Sequence, residues 1–212
     1  MTICLTILRA VAGDDTGGVV FDDGALSKSG LGEAGTTVTA LPRYSAAFRG
    51  PSARCAQTAQ VLGLKAALEP ALRDFDYGEW RGRTAAEVAA TDPYRFSAWL
   101  TDPDATPHGG ESVRQLCQRF TNWLSSLPSQ TDHILAVTEP AVIRAALVHA
   151  LSAPVRAFWH LEVPPLVMVS LAPRCRSLEP GPSTWESAVS NAQDLWISPG
   201  RDAEGAPSRM IS

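Results

Sequence analysis

The apolar positions of this chain follow two alternating rhythms. Residues 2–9 (Thr-Ile-Cys-Leu-Thr-Ile-Leu-Arg) form a short β-branched and apolar run, the pattern of a buried strand. Ser45-Ala46-Ala47-Phe48, Leu64 to Leu68, His133 to Thr138 and Val163 to Leu171 repeat that signature, the last broken early by Pro164-Pro165. Between these runs the spacing lengthens to three and four. A helix is predicted near 29–41. Pro51 opens another through Arg54, Thr58 and Val61, with proline in the first turn, where its missing N–H costs nothing. Thr84-Ala85-Ala86-Glu87 is a capping-box pattern, and Pro93 starts a helix carrying Phe96, Trp99 and Leu100. The clearest helix is 111–127, where Val113, Leu116, Cys117, Phe120, Leu124 and Leu127 keep one face apolar. Pro140 begins the next, with Val142, Ile143, Ala146, Leu147 and Leu151.

Strands alternating with helices predict an α/β three-layer sandwich around a mostly parallel sheet. Ligands in such folds bind beyond the carboxyl ends of strands, where Arg9-Ala10 and Thr138-Glu139 both fall. The rhythm stops near residue 173. Residues 1–173 are therefore predicted as one domain, and 174–212 as a tail rich in Pro, Gly and Ser. Inside the tail, Ser183-Thr184-Trp185-Glu186 is again a capping-box pattern. Trp185, Ala188, Val189, Ala192, Leu195 and Trp196 then follow helical spacing, which predicts a short amphipathic helix over about 184–197. Such a stripe packs back onto its own domain or docks a protein partner.

Composition narrows the classes of function. With 45% hydrophobic and 19% charged residues the chain is globular, and its net charge of -4 argues against nucleic-acid binding. Residues 1–10 lack a basic leader and a cleavage site and are too few to span a membrane, so a soluble cytoplasmic protein without membrane contact is expected. Cys4, Cys55, Cys117 and Cys175 form no CxxC pair and read as free thiols. Gly30-Leu31-Gly32-Glu33-Ala34-Gly35 matches GxGxxG, but no strand runs into it, so no dinucleotide cofactor is expected. Asp14, Asp15, Asp22 and Asp23 fit no calcium loop, and no metal is expected.

Several motifs, in order, resemble the histidine phosphatase (phosphoglycerate mutase-like) superfamily over about residues 2–172. Arg9 matches the arginine of its Arg-His-Gly motif. Asp23-Gly24-Ala25-Leu26-Ser27 with Gly30 resembles Asp-x-Pro-Leu-Ser-x-x-Gly. Pro51 to Ala59 resembles Ser-Pro-Leu-x-Arg-Ala-x-Gln-Thr-Ala, which puts Arg54 on the second phosphate-binding arginine. Leu72 to Gly82 is similar to Leu-x-Glu-x-x-Phe-Gly-x-Trp-x-Gly, with Asp74 at the general-acid position. Pro107-His108-Gly109-Gly110-Glu111-Ser112 resembles Pro-x-Gly-Gly-Glu-Ser, and Ile134 to Arg144 the segment that carries the family's second histidine. The resemblance implies a phosphoglycerate mutase-like fold and a phosphate pocket, with departures at its centre. Ala10 stands where the phosphoryl-accepting histidine is expected and Val11 where a glycine follows it. Glu139 replaces the second histidine, and Asp74 is shorter than the usual glutamate.

Two readings follow. In one the chain is a pseudo-phosphatase whose pocket, formed by Arg9, Arg54, His108 and Glu111, holds a small anionic or neutral ligand. In the other it hydrolyses phosphomonoesters, or runs another hydrolysis, without the family nucleophile. Water would then be activated by Glu139 or Asp74, and phosphate held by Arg9 and Arg54. The two arginines suit a bidentate phosphate clamp, yet they equally suit ion pairs with Glu139 and Asp74. Glu139 is a candidate base, but its place just before Pro140 favours a helix-start residue. Asp74 and Asp76 are candidates for an acid–base pair, with Asp76 as a plain surface residue the other reading. His108, beside two glycines, is the one histidine near a matched motif and the only candidate to replace the nucleophile. His133, His149 and His160 read as structural.

Overall fold

The computed structural model describes residues 4–11, 21, 41–128, 133–164, 167–171 and 195–198. The expected helix near 29–41, the GxGxxG run and the Asp14, Asp15, Asp22 and Asp23 loop lie outside them.

Alternation of buried side chains builds the sheet. In β1 (Cys4–Arg9), Leu5 and Ile7 face one side, while Leu8 and the following Ala10 face the other. β4 (His133–Thr138) repeats the split, with Ile134 and Ala136 opposite Val137. Both strands are buried on both faces, as their unbroken apolar runs require. β4 lies parallel to β1 and also to β2 (Ala46–Arg49), and β2 carries the two-residue edge strand β3 (Ala67–Leu68) in parallel. β5 (Met168–Leu171) runs antiparallel to β1. β6 (Leu195–Ser198) closes the order β3-β2-β4-β1-β5-β6. This is a mixed sheet inside an α/β fold, with parallel β3, β2, β4 and β1 on one side and antiparallel-paired β5 and β6 on the other.

β6 corrects two expectations. It lies beyond residue 173, so the sheet takes a strand from the predicted tail, and this end of the predicted helix is extended. The Leu195-Trp196-Ile197 run fits either rhythm. β5 offers an open row of backbone groups, and pairing satisfies more of them than one further helical turn would. The rest of the predicted helix lies outside the described residues.

Helices cover both faces. On the side of Leu8 and Val137 lies α1 (Ala53–Val61), capped by Ser52, whose Oγ accepts from the Cys55 N–H at 3.1 Å. The other face carries α4 (Val113–Ser126) and α5 (Pro140–Ala150), with α2 (Ala85–Thr91) and α3 (Pro93–Thr101) beyond. The capping box at Thr84 forms as expected, and Ser112 closes a second at the start of α4, which sets that helix two residues later than its apolar spacing suggested. An aromatic cluster of Phe21, Phe75, Tyr77, Trp80, Trp99, Phe158 and Trp159 fills the space between these helices and the loops at the carboxyl edge. No helix among the described residues is long and apolar enough to cross a membrane.

Candidate functional site

Strands β1 and β4 end side by side, with Arg9 opposite Thr138, so residues 10 and 139 leave the sheet together. The Ala10 N–H donates to the Thr138 carbonyl at 2.8 Å, and the Val11 N–H donates to Thr58 Oγ1 on α1 at 3.2 Å. Ala10 and Val11 are both buried. The neighbouring strand β2 delivers Ser52 and Arg54 to the same edge through Gly50-Pro51. Gly50 is required there: a Cβ would come within 2.6 Å of the Leu72 carbonyl oxygen. That close approach draws the segment after Leu72 against the strand ends, and Thr138 Oγ1 fastens it by donating to the same carbonyl at 2.8 Å. Asp74 is thereby carried to the site.

Glu139 is the hub. Its Oε1 accepts from the Ser52 hydroxyl at 2.6 Å, from Arg54 Nε at 3.3 Å and from the Cys55 thiol at 3.7 Å. Glu139 is the N-cap residue of α5, the expected helix-start position, yet its carboxylate makes no cap bond to that helix and turns to these three donors instead. Ser52 explains the difference, because its hydroxyl proton is free for Glu139 once its lone pair has capped α1. Arg54 thus pairs with a carboxylate, one of the two readings left open. Arg9 donates from Nη1 to the Val163 carbonyl at 2.5 Å.

Asp74 is buried, and Asp76 two residues on is exposed and accepts from the Gly78 N–H. Oδ2 of Asp74 accepts from the Tyr77 hydroxyl at 3.1 Å, and Oδ1 has no partner. Burial, reinforced by the like charge of Glu139, pushes the Asp74 carboxyl up to about 7. Burial and the charge on Asp74 raise the Tyr77 phenol well above its ordinary range, and burial together with Glu139 does the same to the Cys55 thiol. Beside this cluster opens a cleft of about 260 Å³, lined by Asp74, Tyr77, Pro51 and Phe75 with Arg73 and Arg81. No group of three or more His, Cys, Asp or Glu side chains among the described residues could hold a metal.

Two expected ligand contacts are elsewhere. His108 is buried against Trp80 and Trp99, with ring centroids 5.0 and 5.8 Å away. Its Nδ1 accepts from the Gly110 N–H at 2.9 Å, and burial holds the ring below the ordinary histidine range. The ring packs among aromatic side chains and does not line the cleft beside Asp74. Glu111 is held by Arg119, Nε and Nη2 donating at 2.8 Å each, and by Arg73 at 3.4 Å. The motif that carries both residues is a clamp. A Cβ on Gly110 would lie 1.9 Å from the Asp76 carbonyl oxygen, and the Glu111 N–H donates to that oxygen at 2.8 Å. Arg119 completes the clamp by donating to the carbonyls of Ala71, Arg73 and Asp74. Sequence reasoning missed Arg119, which looks like any polar-face residue of α4, and it missed Ser52, which looks only like a cap.

Comparison with known proteins gives a family. The model of the histidine phosphatase superfamily (branch 1) matches residues 21–177, a span that holds Arg54, Asp74 and Glu139 and begins beyond Ala10. A glucosyl-3-phosphoglycerate phosphatase of Mycolicibacterium vanbaalenii is 33% identical over 108 residues, 47% of this chain and 48% of that one. An adenosylcobalamin/alpha-ribazole phosphatase of Escherichia coli is 29% identical over 98 residues, 44% of this chain and 48% of that one. The chain thus spans about half the length of these relatives, and 17% of a matching bifunctional protein of Mycobacterium tuberculosis. Among solved structures, a histidine-to-alanine mutant of phosphoserine phosphatase from Entamoeba histolytica, in complex with phosphoserine, superimposes with a TM-score of 0.69. It is 17% identical and covers 79% of this chain and 89% of that one, a likeness of fold.

Proposed function

The chain belongs to the histidine phosphatase superfamily (branch 1), and we propose that within it the protein is a pseudo-phosphatase that binds a small ligand without forming a phosphohistidine. The observation that carries this reading is the pair at the two central strand ends. Ala10, whose side chain has no lone pair, lies beside Glu139, which already neutralises Arg54. A family phosphatase needs a nucleophilic imidazole and surplus positive charge at that point. Here the carboxyls of Glu139 and Asp74 lie within electrostatic reach of each other and of Arg54. A like charge about 4 Å from a bound phosphate costs roughly 4 kcal/mol at an effective dielectric near 20, enough to offset one arginine contact. Weakly anionic or neutral ligands are therefore favoured over phosphate dianions. Ligand binding without the histidine has a parallel in this fold, since the histidine-to-alanine phosphatase was captured with phosphoserine. Incubation with a labelled phosphodonor and a phosphomonoester tests the proposal. Neither acid-labile label nor turnover above a heat-killed sample is expected.

A second reading rests on Asp74. A carboxyl raised to about 7 beside a second acidic side chain has the makings of an acid–base pair, with Glu139 as base, Asp74 as acid and Arg54 holding the substrate. It predicts hydrolysis with a rate that changes near pH 7 and is abolished in Asp74→Asn.

A further inference from the structure

A second cluster of reactive side chains lies at the opposite end of the same two strands. Cys4 and His133 are register partners at the start of β1 and β4. His133 Nε2 lies 3.6 Å from Cys4 Sγ and 2.9 Å from Thr6 Oγ1, which in turn is 3.0 Å from Ser170 Oγ. Five residues of extended chain separate Cys4 from Arg9, roughly 17 Å. The cluster therefore cannot take part in ligand chemistry at the other end of the sheet.

We propose that Cys4 and His133 form a thiol modification site, at which the imidazole activates Cys4 for exchange with small disulfides. The chemistry needs only these two groups and the disulfide. Nε2 takes the proton of the Cys4 thiol, and the thiolate attacks one sulfur of the disulfide. A Cys4–S–S bond forms as the original S–S bond breaks. The departing thiolate collects the proton from the imidazolium. The thiolate is the reacting form, so a base at hydrogen-bond reach of sulfur raises reactivity at neutral pH.

Contrast with the other described thiols supports the assignment. Cys55 is buried, with the Glu139 carboxylate facing its sulfur, and its thiol is pushed up by both. Cys117 is half-buried on α4, and burial pushes its thiol up to about 11. Cys4 is half-buried as well but faces a base. A mixed disulfide there would also push into the Ser170–Thr6–His133 chain that ties β5, β1 and β4 together, so modification at Cys4 should loosen the sheet.

The test is labelling of the full chain by glutathione disulfide at pH 7, in a Cys175→Ser background, with each site followed by mass spectrometry. Cys4 should label at least tenfold faster than Cys117, and His133→Gln should slow Cys4 by a similar factor while leaving Cys117 unchanged. Cys55 reports folding, because it stays unlabelled in any folded variant. Thr6→Val, which leaves the ring nitrogen to the sulfur alone, should speed Cys4 labelling and covers the case in which His133→Gln unfolds the chain. The proposal is overturned by Cys4 labelling no faster than Cys117. It is equally overturned by a folded His133→Gln protein with an unchanged Cys4 rate, or by Thr6→Val labelling no faster than the parent.

Discussion

Two buried glutamates of this protein are treated in opposite ways. Glu111 meets Arg119 head-on through two 2.8 Å bonds, with Arg73 alongside. The Glu111 N–H donates to the Asp76 carbonyl, and Arg119 in turn donates to three further carbonyls. Glu139 meets Arg54 through Nε alone at 3.3 Å, shares one oxygen among three donors and faces a second carboxyl whose own oxygen lacks a partner. The first arrangement lowers the energy of the fold. The second crowds two carboxyls, Glu139 and Asp74, at the point where the central strands end, and such pockets are where binding sites are found. Burial alone therefore does not distinguish a clamp from a site; the degree to which each charge is satisfied does.

The largest effect should come from breaking the satisfied pair. Arg119→Met strands the Glu111 carboxylate and releases the carbonyls of Ala71, Arg73 and Asp74. Loss of one partner of a buried pair costs about 3–5 kcal/mol, so urea denaturation should show a stability loss of that order. A loss below about 1 kcal/mol would mean that water replaces the clamp.

At the unsatisfied cluster, removing charge should help. Asp74 binds its proton more tightly in the folded chain, with its carboxyl raised from 3.8 to about 7. Its contribution to stability is therefore complete below about pH 4. It is lost as pH rises toward 7, at up to roughly 1.4 kcal/mol per pH unit, and is constant above. Asp74→Asn keeps an acceptor for Tyr77 and removes the repulsion, so the variant should melt higher than the parent at pH 8. The advantage should shrink as pH falls to 4. An advantage independent of pH would show that Asp74 is not raised.

The smallest effect sharpens the comparison from the ligand's side. Glu139→Gln keeps an oxygen for Ser52 and removes one negative charge. Phosphate or vanadate binding should tighten about tenfold in calorimetry, equivalent to roughly 1.4 kcal/mol. Unchanged binding would mean that the carboxylate does not face the ligand.

The two regions also differ in how much of them the chain displays. Strands β1 and β4 and helices α2 to α5 were legible because their periodicity and caps are local. The ends of β1 and β4 could be named as the site edge for the same reason. The orientation of Glu139 was not legible, because it depends on the Ser52 hydroxyl 87 positions away. Nor was the burial of His108, which depends on Trp80 and Trp99 closing over its ring. β6 escaped because Leu195-Trp196-Ile197 satisfies helical and extended spacing alike, and only the open edge of β5 decides between them.

The central claim is that no nucleophile stands at the end of β1. Single-turnover labelling of the intact chain with a phosphoryl donor, followed by acid and base stability of any protein-bound phosphate, addresses it most directly. No base-stable, acid-labile phosphate should appear on the parent chain. Label of that kind on any histidine would show that the chain keeps the family's phosphohistidine chemistry after all.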